Sequence, residues 1–201
     1  MKRCAWAENK DKHYQNYHDT EWGVPVYNDQ KLFEFIVLES AQAGLSWQTI
    51  LNKREGYRRA FKNFDPKKVA KMTAGEEAKL LLNPSIVRNR LKIRATITNA
   101  AAFLKIQKEF GSFSDYMWSW VKHKPRNEKR KEPKDIPAVS PLAIAMAKDL
   151  KKRGFKFLGP TVWYAHMQAV GMVNDHTTDC FRHKEISKLV RWVKDVRTCV
   201  G

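Results

Sequence analysis

The sequence is short of acids, of cysteine and of long apolar runs. Aspartate and glutamate total 21 against 38 lysines and arginines, which leaves a formal charge of +17. No stretch approaches the roughly 18 apolar residues of a bilayer-spanning helix, so a membrane protein is not expected. Met1-Lys2-Arg3-Cys4 is followed by no apolar run, so it does not read as a secretory signal. The three cysteines, Cys4, Cys180 and Cys199, are an odd number in a chain without an export signal, which argues against a disulfide framework. No fixed period repeats, and few segments alternate polar with apolar, which disfavours solenoids and sheets.

The charge far exceeds what solubility needs. It implies a polyanionic partner, nucleic acid or an acidic membrane surface, although a merely solvated basic surface is the plainer reading. Seven Trp, six Tyr and ten Phe support a packed core and leave aromatics for stacking on bases. A basic chain with no export signal belongs with intracellular DNA or RNA. The length suits one domain of two lobes.

Helical periodicity predicts an all-α fold. Leu32, Phe33, Phe35, Ile36, Val37 and Leu38 give a helix over 29–43, capped by Asn28 or Asp29, with Glu39 on its last turns and Gly44 at its end. Ser46 starts the next helix, through Trp47, Ile50 and Leu51. Asp65-Pro66 opens a helix to Met72, and another covers Glu76 to Leu82. One long helix or two cover 86–107, and a short aromatic helix covers 113–120. The stretch from Lys122 to Pro137, with three prolines and seven Lys or Arg, reads as a flexible loop between lobes. Ser140-Pro141 caps a helix to Arg153, a second helix runs from Thr161 to Gly171, and a tail helix covers about 183–198, with Ile186, Leu189, Val190 and Val193 on one face.

Three motifs carry chemistry. First, a helix–hairpin–helix over about 142–172 turns between Gly154 and Gly159. Glycines let backbone amides approach a phosphate, and Lys151, Lys152, Arg153 and Lys156 surround the turn. This reads as a sequence-independent grip on DNA, or as an ordinary hairpin with a solvated basic edge. Second, Cys4 and His18 have thirteen residues between them, and His176 and Cys180 have three. Together they would make a closed Cys₂His₂ metal site, but Cys4 and His18 fit no local finger pattern, and His183 and Cys199 are rival ligands. Third, Trp6, Tyr14, Tyr17, Trp22 and Trp47 accompany the carboxylate Glu39. Aromatic faces and a carboxylate suit a flat cationic ligand; a Trp-rich core with Glu39 exposed or paired to a lysine is the alternative.

The stretches 17–25 (YHDTEWGVP), 38–47 (LESAQAGLSW), 153–159 (RGFKFLG) and 174–176 (NDH) together resemble DNA-3-methyladenine glycosylase I. The likeness runs in order from Met1 to about Cys180. It implies an all-helical, single-domain member of the helix–hairpin–helix glycosylases, spanning 1–201, in the bacterial cytosol. The implied reaction is hydrolysis of the N-glycosidic bond of 3-methyladenine in DNA, the first step of base excision repair. The resemblance places a structural zinc on Cys4, His18, His176 and Cys180, joining the terminal segments. It places catalysis on Glu39 and base recognition on Tyr17, Trp22 and Trp47, with Trp6 nearby. The expected partner is double-stranded DNA containing alkylated adenine, bound by a monomer. No lysine lies in the pocket motifs, so lyase chemistry is not expected. A non-catalytic DNA-binding protein of the same fold, and a glycosylase shifted to another alkylated purine, are the competing readings.

The chain departs from the wider superfamily in one place. Relatives carry an aspartate soon after the hairpin that serves the sugar cation. Here Asp175 stands beside His176 and is expected to support that ligand rather than the sugar. Ser85 stands where some relatives have glycine. The tail beyond Cys180 and much of 122–134 fall outside the resemblance.

Overall fold

The computed structural model describes the backbone of residues 1–198 and the side chains of residues 1–189. Among them the regular structure is almost all helical, as expected. The helices are α1 (Lys12–Thr20), α2 (Asp29–Gln42), α3 (Trp47–Ala60), α4 (Pro66–Val69), α5 (Ala74–Leu82), α6 (Arg90–Phe110), α7 (Phe113–Ser119), α8 (Pro141–Lys152), α9 (Pro160–Ala169) and α10 (Phe181–Thr198). The only paired strands among the described residues are β1 (Arg126–Asn127) and β2 (Val173–Asn174), which run parallel.

Side-chain caps set the helix starts. The side chains of Asn28, Ser46, Asp65 and Ser140 accept backbone N–H bonds from Lys31, Thr49, Lys67 and Ala143. Thr73 and Glu76 form a reciprocal capping box on α5. The long helix begins at Arg90, not Ile86, because Asn89 caps it by accepting from Lys92 N–H. Asp29 has a second duty: its carboxylate accepts from the amides of Phe113 and Ser114 at 2.8 Å each, capping α7 from α2.

Backbone contacts divide the chain into two compact units. One comprises Met1–Val26, Trp118–Ala138 and Met167–Gly201; the other comprises Tyr27–Met117 and Val139–His166. In the second unit α2 packs on α3 and α6. Ten successive residues of α2, Leu32 to Ala41, are buried, so it is a core helix rather than a one-faced one. Beside it Phe33 meets Phe103 edge-on at 5.2 Å between ring centroids, and Phe103 stacks on Phe113 at 4.2 Å.

In the first unit the basic segment is tied down rather than free. Arg126 and Asn127 pair with Val173 and Asn174, and Arg130 meets Asp175 at 3.2 Å. Ile186 of α10 is buried, while Leu189 is exposed. The expected apolar positions Val190 and Val193 lie outside the described side chains.

One core residue has a consequence for stability. His166 on α9 is fully buried, stacked on Trp163 at 4.5 Å, with no hydrogen-bond partner for either ring nitrogen among the described residues. Burial pushes its pKa down to about 3. The unfolded chain takes up this proton below its ordinary 6.5, whereas the folded chain does not until about 3. Stability is therefore lost as pH falls below 6.5, by about 1.4 kcal/mol per pH unit from this group. We expect His166→Phe to lose about 2 kcal/mol less than wild type between pH 7 and 5 in urea unfolding. Equal losses in the two proteins would refute this role.

Candidate active site and metal centre

The first unit gathers Cys4, His18, His176 and Cys180. All four are buried, and their ligating atoms lie within 4.8 Å of one another. Cys4 ends the N-terminal strand of chain at a turn closed by Ala7 N–H to Cys4 C=O at 2.9 Å. His18 sits on α1. His176 and Cys180 flank the turn before α10, which Phe181 N–H anchors to Lys2 C=O at 3.0 Å.

The spacings fit a tetrahedral metal. Cys4 Sγ is 3.4 Å from His176 Nδ1, and Cys180 Sγ is 3.5 Å from His18 Nε2 and 3.6 Å from His176 Nδ1. A zinc with ordinary Zn–N and Zn–S bonds would set each N···S edge at about 3.6 Å. The other nitrogen of each imidazole is also held. His18 Nδ1 donates to Asp19 Oδ1 at 2.8 Å, and Asp19 is gripped by Arg3 at 2.7–3.0 Å. His176 Nε2 donates to the Trp22 carbonyl at 3.1 Å. This is how imidazole ligands are oriented in metal sites. Gly23 (φ +81°) makes room, since a Cβ there would meet His176 Nε2 at 3.0 Å.

One sequence expectation changes here. Asp175 does not support His176: its carboxylate takes Arg130 Nε at 3.2 Å and Gln168 Nε2 at 2.8 Å. His183 is not among the clustered ligands, and Cys199 lies outside the described residues. Trp6 and Trp22, expected in the base pocket, pack on the cluster. Trp22 lies edge-on to His176 at 4.6 Å and stacked on His18 at 6.4 Å, and Trp6 meets both Trp22 and His18 edge-on. Tyr17, one residue before His18, is buried in this unit.

The second unit holds Glu39 and Trp47 on successive helices. Lys92 of α6 fixes the end of α2, its Nζ donating to the carbonyls of Ala41 (2.8 Å) and Ala43 (2.5 Å). Gly44 turns the chain at φ +78°, and Ser46 caps α3 so that Trp47 is its first residue, half-buried. Glu39 is only 4% exposed and has no hydrogen-bond or ion-pair partner among the described residues. Burial alone pushes its pKa up to about 8. An isolated buried carboxyl of this kind stays neutral until a cation arrives to pair with it.

The hairpin between α8 and α9 is also in this unit. Gly154 takes φ +96° with nothing within 4 Å of a Cβ position. Asn99 of α6, unremarked in the sequence, clamps the turn: its Oδ1 accepts from Lys156 N–H at 2.8 Å and its Nδ2 donates to Lys156 C=O at 3.0 Å. The amides of Phe157, Leu158, Gly159 and Thr161 have no protein acceptor among the described residues. Lys152 and Lys156 are exposed beside them. Arg153 points to another task, pairing with Asp149 at 2.6 Å and Glu109 at 2.7 Å and lying over Phe110 and Tyr116.

The family described as methyladenine glycosylase matches residues 6–183. The chain belongs to that family. Among methyladenine glycosylases it is 48% identical over 178 residues to the DNA-3-methyladenine glycosylase of Haemophilus influenzae, covering 89% of this chain and 96% of that protein. It is 47% identical over 180 residues to DNA-3-methyladenine glycosylase 1 of Escherichia coli, covering 90% and 96%. A crystal structure of 3-methyladenine DNA glycosylase I superimposes with TM-score 0.87 at 49% identity, covering 90% of this chain and 98% of that one. A Staphylococcus aureus structure, solved for the structural basis of 3-methyladenine recognition, gives TM-score 0.87 at 44% identity, covering 90% and 96%. The all-α fold is therefore that of this glycosylase family. His18, Glu39, Trp47, His176 and Cys180 fall inside the matched span; Cys4 and most of α10 fall outside it.

Proposed function

We propose that the protein is a DNA-3-methyladenine glycosylase. It hydrolyses the N-glycosidic bond of 3-methyladenine in double-stranded DNA and opens base excision repair. The observation that carries this reading is Glu39, a buried carboxyl with no partner among the described residues, in a member of this family. Methylation at N3 makes the attached adenine cationic, so the base leaves neutral and needs little acid catalysis. The protein's work is to take the nucleotide out of the stack, hold it, and exclude weaker-binding bases.

In this reading Glu39 pairs with the cationic purine and steadies the positive charge that builds on the sugar as the C1′–N9 bond breaks. Water then bonds to C1′ and releases a proton. Trp47 stacks on the ring and Tyr17 reads its polar edge, with Trp22 and Trp6 among the base-recognition residues. The turn from Gly154 to Gly159 presents free amides to a backbone phosphate, with Lys152 and Lys156 as counter-charges; Arg153 holds the turn in shape through its acidic partners. Cys4, His18, His176 and Cys180 hold a zinc, whose role is structural because all four positions are filled by protein. The chain acts as a monomer in the cytosol.

Incubation with methylated duplex DNA tests the reading. Free 3-methyladenine is expected well above a heat-killed control. Release at the control level ends it.

A further inference from the structure

A polar cavity of about 240 Å³ opens in the second unit, lined by Asn28, Gln30, Lys31, Glu34, Arg58 and Asn63, with Phe64 at its edge. Its lining carries two cations, Lys31 and Arg58, and one carboxylate, Glu34. Glu34, only 2% exposed, receives Arg54 Nε at 2.8 Å, Arg58 at 3.0 Å and Lys31 Nζ at 3.0 Å. Arg58 also meets Glu55 at 3.0 Å. Glu34 thus works as a buried anchor that aims cations at the cavity.

The neutral groups share this bias. Asn28 Oδ1 already accepts from Lys31 N–H at 2.9 Å, and Asn63 Oδ1 accepts from Arg58 at 3.2 Å. Both partners are donors, so they fix which way each amide is turned. The Nδ2 groups of Asn28 and Asn63 have no partner among the described residues. Arg58 spends one N–H on each of Glu55, Asn63 and Glu34, leaving two of the five that a guanidinium carries. Asn28 and Asn63 are exposed, so their Nδ2 donors are open to solvent and to a ligand.

Asn63 is held in place at a conformational cost. Lys62, Asn63 and Phe64 have φ of 52°, 57° and 55°, three successive non-glycine residues in the left-handed region. Each costs about 1 kcal/mol or more. Gln30 Nε2 locks the segment by donating to Asn63 C=O at 2.6 Å, and Arg58 lies 5.6 Å over the Phe64 ring.

We propose that this cavity binds a phosphate oxyanion, either free phosphate or a phosphodiester of the DNA backbone. Lys31 and Arg58 supply charge, and the amides of Asn28 and Asn63 supply directed donors. The hairpin residues contribute nothing to its lining.

Full-length ¹⁵N-labelled protein provides the test. Inorganic phosphate should shift the side-chain amide signals of Asn28 and Asn63 saturably, and chloride at equal ionic strength should not. In the double variant Lys31→Gln/Asn63→Gly, read on Asn28, affinity should fall about tenfold or more through loss of a charge-assisted bond and an amide donor. Glycine suits the left-handed φ at position 63, so this variant should keep the wild-type backbone spectrum. Unmodified duplex that displaces the phosphate assigns the natural ligand to the DNA backbone; duplex that leaves it bound assigns free phosphate. Absence of a saturable shift with either ligand, equal shifts with chloride, or undiminished affinity in the folded double variant each overturns the proposal.

Discussion

Glu39→Gln should make the protein more stable and far less active. Unfolded, Glu39 gives up its proton near the ordinary 4.5; folded, it keeps it to about 8. Between these values the folded state holds the extra proton, so rising pH favours unfolding. The loss from this group begins near pH 4.5, grows by about 1.4 kcal/mol per unit, and levels off above about 8. At pH 7 the carboxyl costs about 3 kcal/mol, which a neutral glutamine avoids. A gain of that order should appear at pH 7 and vanish below pH 4.5. The same substitution removes the charge that pairs with the cationic purine and the developing sugar cation. By the scale of other preorganised electrostatic contacts, release of 3-methyladenine should fall about a hundredfold. Affinity for undamaged duplex should hold, since Glu39 is buried and no phosphate contact is assigned to it. The free wild-type protein must release the Glu39 proton before the cation can pair, so its kcat/KM should climb with pH and flatten above about 8. The variant's profile should be flat there. Matched losses of activity and duplex affinity, or a wild-type profile flat from pH 6 to 9, would refute the assignment.

Glu34 and Glu39 show where the sequence stops being informative. Both are carboxylates on one apolar helix, and both end nearly fully buried. For Glu34, burial works to raise the pKa, but Arg54 and Lys31 outweigh it and hold the carboxyl below the ordinary range. For Glu39 nothing offsets burial. Arg54 and Arg58 come from the next helix, so the difference between a structural acid and a reactive one is tertiary. Periodicity cannot carry it.

Local signals fared better. Asn28, Ser46, Asp65 and Ser140 marked helix starts because a cap is a contact between neighbours in sequence. Ile86 failed as a helix start because its apolar period continued through a loop that only Asn89 ends. The order of motifs pointed to the four Cys and His ligands. What orients them, the Arg3–Asp19 pair and the Trp22 carbonyl, was not legible, since one is a paired charge and the other a backbone atom. Asn99, which clamps the hairpin from α6, carries no sequence signature at all.

Removing the metal should have the largest effect on stability. Fresh protein should carry about one zinc per chain, and a strong chelator or Cys180→Ser should remove it. The four ligands come from the two ends of the sequence; Cys4 and His176 are 172 residues apart. A link across so long a loop restricts the unfolded chain by about 5 kcal/mol, on the loop-closure scale used for disulfides. Losing it also leaves two thiols and two metal-facing imidazole nitrogens buried against one another at 3.4–3.6 Å. Together these exceed half of a typical domain's stability of 5–15 kcal/mol, so the chelated protein should melt far below the holo form. Trp22 and Trp6 pack on the ligand imidazoles, so their near-ultraviolet signal should change before helix content is lost. His183→Gln and Cys199→Ser should leave zinc content at the wild-type level. Readded zinc should restore the melting temperature in the wild type and fail to do so in Cys180→Ser. Fresh wild-type protein with well under one equivalent of zinc and an unchanged melt after chelation would remove the metal from this account. The four side chains would then be a buried polar cluster, held by the bonds they make to one another, to Asp19 and to the Trp22 carbonyl.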